Sequence, residues 1–80
     1  MQPQTIPRLR VLKAGKIIFH QRFSVMDCII RDISEGGACL RVGTVSGIPD
    51  RFELLTERDK ITKPCRLAWK SDTRIGVSFQ

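Results

Sequence analysis

Cys28-Ile-Ile-Arg-Asp-Ile-Ser-Glu-Gly-Gly-Ala-Cys-Leu-Arg-Val42 reads as two strands around one tight corner. Side chains alternate across a strand with a period of two. Cys28 and Ile30 therefore share one face against Ile29 and Arg31, and on the return Ala38, Leu40 and Val42 share a face against Cys39 and Arg41. Between them, Ser34-Glu-Gly-Gly37 is polar and glycine-rich. Asp and Ser side chains bond to nearby backbone in such a corner, and glycine supplies a positive φ. One hairpin is marginal in water, so the flanking sequence has to complete the sheet.

Working outward, the chain continues in short β segments punctuated by glycine, proline and aspartate. Arg8 to His20 reads as a strand bent where Ala14-Gly15 interrupts it, and Ser24 to Ile33 as a second strand. After the return strand, Gly43 to Asp50 is a loop, Phe52 and Leu54 open a fourth strand, and Glu57-Arg-Asp-Lys60 is a polar connection. Cys65, Leu67 and Trp69 alternate with Arg66, Ala68 and Lys70, while Ile75, Val77 and Phe79 alternate with Gly76 and Ser78. Those six apolar side chains are expected mainly inside. Six strands and no long 3.6-period window predict a small six-stranded antiparallel β-barrel with little or no helix, because closure removes edges that so short a chain cannot cover. The arm of residues 1–7 is polar and holds two prolines, so a single domain is expected over residues 8–80.

Eighty residues, 41% apolar and 28% charged, suit one globular core. Apolar runs are far shorter than the ~20 residues of a spanning helix, and no export signal opens the chain, so membrane insertion is not expected and a cytoplasmic location is. Cys28, Cys39 and Cys65 are an odd set without C-x-x-C spacing. They read as free, buried thiols of a reducing compartment, with neither a disulfide framework nor a metal site. The net charge of +6 favours an anionic partner.

The inventory for catalysis is thin. His20 is the one histidine and stands outside any recognisable triad, and no P-loop, dinucleotide or calcium motif is present. No enzyme activity, catalytic residue, metal or cofactor is therefore expected. DNA or RNA binding is disfavoured because single-strand binders stack bases on exposed aromatics. Tyr is absent, and Phe52, Phe79 and Trp69 read as core, leaving only Phe19 and Phe23 as a platform.

From about Gln4 to Phe79 the chain resembles the PilZ domain, a bacterial receptor module for cyclic di-GMP. The resemblance is carried by Pro7-Arg-Leu-Arg-Val11, by Asp32-Ile-Ser-Glu-Gly-Gly37 in the D/N-x-S-x-x-G pattern, by the return strand Ala38-Cys-Leu-Arg-Val42, and by the hairpin Cys65-Arg-Leu-Ala-Trp69 to Ile75-Gly-Val-Ser-Phe79. It implies a PilZ-like split barrel and a ligand site formed by Arg8, Arg10, Asp32, Ser34 and Gly37. Arginine forks suit phosphate and the O6/N7 edge of guanine. The resemblance assigns Asp32 and Ser34 to guanine or nearby backbone, and Gly37 to loop geometry.

The sequence departs from the family in the R-x-x-x-R motif, which here reads Gln4-Thr-Ile-Pro-Arg8. Losing one charge-assisted hydrogen bond lowers affinity ~10- to 100-fold, with Arg10, on the same strand face as Arg8, as partial compensation. Two functions follow as expectations. One is a cyclic di-GMP receptor that signals to a protein partner; the other is a degenerate PilZ domain that has lost the nucleotide and acts as a protein-interaction adaptor.

Overall fold

β-Branched and apolar residues at alternate positions give six strands in the computed structural model, which describes residues 9–21 and 23–80. They are β1 (Leu9–Phe19), β2 (Ser24–Ile33), β3 (Gly37–Val42), β4 (Arg51–Thr56), β5 (Ile61–Lys70) and β6 (Arg74–Phe79). Every pairing is antiparallel, and the order β1-β2-β3-β6-β5-β4 closes on itself, because β1 pairs with β2 along one side and with β4 along the other. Among the described residues there is no helix.

The barrel interior holds one apolar core. Ile17, Ile30, Leu40 and Ile75 are fully buried, with Phe52, Leu54, Cys65 and Val77 around them, and among the described residues no polar side chain is buried. Each large apolar side chain so placed stabilises the fold by ~1.5–3 kcal/mol relative to exposure. Loop residues 43–50 contribute as well: Gly47 has φ 85°, and Ile48 turns back to close the core at 7% exposure.

Three irregularities break the alternation, between Arg10 and Lys13 in β1, between Ile30 and Asp32 in β2, and between Leu67 and Trp69 in β5. A bulge sets an extra residue in one strand, so every residue beyond it changes face. In β2, Ile30 pairs with Leu40 but Asp32 pairs with Cys39, leaving Arg31 as the extra residue. Unbroken alternation from Ile30 would send Asp32 into the core; instead Ile33 packs against the core.

Several expectations change accordingly. The irregularity of β1 precedes Ala14-Gly15 rather than falling on it. Cys65, Ile75 and Val77 are buried, whereas Leu67 and Phe79 are half-buried against the core. Trp69 is not a core residue: Leu67 pairs with Val77 and Trp69 with Gly76, so Ala68 is the extra residue and the indole comes out, 49% exposed. Cys39 lies on the outward face of β3 and is half-buried, unlike Cys28 and Cys65.

Candidate nucleotide site

The bulges bring the outward residues Asp32, Cys39 and Trp69 into one row with the backbone of Arg10 in β1 and of Gly76 in β6. Arg10 pairs with Asp32, Asp32 with Cys39, Cys39 with Gly76, and Gly76 with Trp69. Adjacent strands lie ~4.8 Å apart, so this row runs about 20 Å around the barrel wall. Beside it opens a concavity of about 490 Å³ lined by Val11, Leu12, Arg31, Asp32, Cys39 and Arg74. Its size falls within the range of small-molecule sites. Leu12, freed by the irregularity of β1, is 79% exposed there.

The corner is built to be rigid. The Ser34 N–H donates to the Gly37 carbonyl at 2.8 Å, the Ser34 Oγ reaches the same oxygen at 3.4 Å, and the Phe79 N–H donates to the Gly36 carbonyl at 2.9 Å. The last of these ties the corner to the end of β6. Gly37 is required for a reason other than a turn dihedral: a methyl at its Cα would lie 2.1 Å from the Val77 carbonyl oxygen. Among the described residues the positive-φ glycine is Gly47.

Electrostatics differ between the two sides of the wall. On the β1 side, Lys16 is held by Asp27 and, at 3.4 Å, by Glu57. The hydrogen bond that Lys16 Nζ donates to the Asp27 carboxylate leads in raising its pKa, and the carboxylate charges add to it. On the concavity side, Arg31 and Arg74 form no ion pair or side-chain hydrogen bond among the described residues. Burial pushes the Cys28 and Cys65 thiols up, to about 12 and about 11, and so keeps them protonated.

Of the residues expected at the site, Asp32 lines the concavity, Ser34 and Gly37 close the adjoining corner, and Arg10 is placed by its backbone opposite Asp32. Arg8 and Gln4 lie outside the described residues. Sequence reading missed Arg31, Cys39, Arg74 and Trp69. A tryptophan preceded by alanine, facing a strand with a glycine between two apolar residues, was the available sign of a bulge. Phe19 and Phe23, the residues left for an aromatic platform, do not build one at this site, since Phe19 packs against the core and Phe23 sits in the β1–β2 turn, at the far end of that hairpin from Asp32. His20 shares that turn, bonded to Ser24 at 3.1 Å. No group of His, Cys, Asp and Glu able to hold a metal occurs among the described residues, and no helix there is long and apolar enough to cross a membrane.

Comparison with known proteins gives two findings. The PilZ domain family model matches residues 6–80. Among solved structures, the chain is similar to the PilZ domain of CeSA from a cellulose-synthesizing bacterium, with a TM-score of 0.72 and 12% identity over 92% of this chain and 80% of that one. At that identity the likeness concerns the fold. No curated protein matches the chain by sequence.

Proposed function

The chain belongs to the PilZ family of cyclic di-GMP receptor domains, and from that membership we propose that it binds cyclic di-GMP in the concavity beside the Asp32–Gly37 corner. The observation that carries this reading is the bulge in β2, which turns Asp32 out of the core and into a concavity that also holds guanidinium groups. A carboxylate accepts hydrogen bonds from the N–H edge of guanine, and guanidinium forks bind phosphate oxygens. Arg8 and Arg10 act from the entry to β1, as the family resemblance implies. Ser34 and Gly37 hold the corner in shape. The half-exposed indole of Trp69 offers a face for stacking at the end of the same row. The activity is binding rather than catalysis, in the cytoplasm, with the signal passed to a protein partner.

Gln4 favours a second reading, an adaptor that has lost the nucleotide. Titration calorimetry with cyclic di-GMP separates the two. Gln4→Arg is expected to tighten binding ~10- to 100-fold, whereas Thr5→Arg adds the same charge at the wrong spacing and gains much less. Asp32→Ala in the Gln4→Arg background should remove most of the gain. Equal binding by the two arginine variants, or a silent Asp32→Ala, replaces the receptor with the adaptor.

A further inference from the structure

Arg31 and Arg74 reach the same concavity from different strands, the first as the extra residue of the β2 bulge and the second from the start of β6. Between them lie Asp32 and Cys39, so a ligand that meets the carboxylate passes within reach of both guanidinium groups. Arg74 also stands directly opposite Arg41 across β3 and β6. Like charges so placed destabilise a sheet, and a bound anion would relieve the repulsion. A second opposed pair, Arg51 and Arg66 on β4 and β5, lies away from the concavity. The opposition is thus not distinctive in itself; what distinguishes Arg74 is the concavity it shares with Arg31 and Asp32.

We propose that Arg31 and Arg74 are the phosphate-binding pair of this chain's nucleotide site, supplying from the barrel wall the cationic contact that Gln4 does not supply from the arm. The inference rests on the reading of the concavity as a cyclic di-GMP site. A doubly anionic ligand needs more than one cationic partner, and guanidinium groups held on strands are better oriented than the same groups on an arm. The bulge at Arg31 then serves twice, turning Asp32 outward and adding a charge beside it.

The test is calorimetric titration of the 80-residue chain with cyclic di-GMP at two salt concentrations, using Arg31→Gln, Arg74→Gln and, as control, Arg66→Gln. The control removes the same charge from a matched opposed pair outside the concavity. Arg31→Gln and Arg74→Gln are each expected to weaken binding ~10-fold or more and to flatten its salt dependence, with Arg66→Gln within about twofold of the parent chain. Trp69 emission and the thermal midpoint should hold, or the midpoint rise for Arg74→Gln as its opposition to Arg41 disappears. If the parent chain binds and all three variants bind alike, the inference is overturned and the receptor reading stands. If weakened binding comes with a lowered midpoint and shifted emission, the arginines belong to the fold and the inference also fails. If the parent chain takes up no cyclic di-GMP, the receptor reading falls and the inference with it.

Discussion

The indole of Trp69 lies against the Cα of Gly76, so closely that a methyl at Gly76 would sit 2.1 Å from Nε1 and 2.4 Å from Cε2. The pair spans β5 and β6 on the outer wall, with Gly76 buried beneath the ring.

Gly76→Ala should therefore displace the indole, whereas Gly37→Ala meets backbone, the Val77 carbonyl oxygen at 2.1 Å. A ring can rotate and a strand cannot. The expected costs are about 1 kcal/mol for Gly76→Ala, with a red shift of Trp emission, and about 3 kcal/mol for Gly37→Ala. Urea unfolding followed by fluorescence checks both, and equal costs would contradict the assignment of Gly37 to close strand approach.

The three cysteines should separate in reactivity. Cys39, half-buried on the outer row, is expected to label first with a thiol reagent in the absence of denaturant, while Cys28 and Cys65, at 4% and 1% exposure, stay protected. The buried thiols have folded pKa values of about 12 and about 11 against an ordinary 9.0. Because these are raised, the unfolded chain releases protons first, so their stability contribution is intact below pH 9 and is lost as pH rises from 9 toward 11 to 12. Cys28→Ala should remove about half of the thiol-linked alkaline slope, measured by urea midpoints at successive pH values. An unchanged slope would count against burial as its cause.

Lys60 closes the β4–β5 turn with φ 59°, its N–H donating to the Thr56 carbonyl at 2.8 Å. A side chain in the left-handed region costs ~1–2 kcal/mol, partly offset by the entropy a glycine would lose on folding. Lys60→Gly is expected to stabilise the barrel by about 0.5–1 kcal/mol, read as a higher thermal midpoint. A lower midpoint would show that the lysine makes a compensating interaction.

Strand number, the corner at Ser34–Gly37 and most of the inward set were legible because alternation and turn chemistry are local signals. Ile30, Leu40, Ile75 and Val77 lie where their period places them. Trp69 and the concavity were not legible, because a bulge is a relation between two strands and leaves little trace in either alone. Asp32 was singled out from the motif it resembles, but its outward direction depends on Arg31 being one residue more than β3 matches. Arg74 reaches the site through the pairing of β6 with β3, which joins residues far apart in sequence.

That surplus residue in β2 makes the site sensitive to chain length as well as to composition. Insertion of a single codon between those for Cys39 and Leu40 would keep Asp32, Ser34 and Gly37 in the protein, yet give Arg31 a partner, restore plain alternation in β2 and turn the Asp32 carboxylate toward the interior. There it would have to shed its charge or disrupt the packing around Ile30 and Leu40. In heredity, an in-frame insertion in β3 therefore amounts to a change of residue in β2: the recognition surface is encoded in the spacing of the message as much as in its letters.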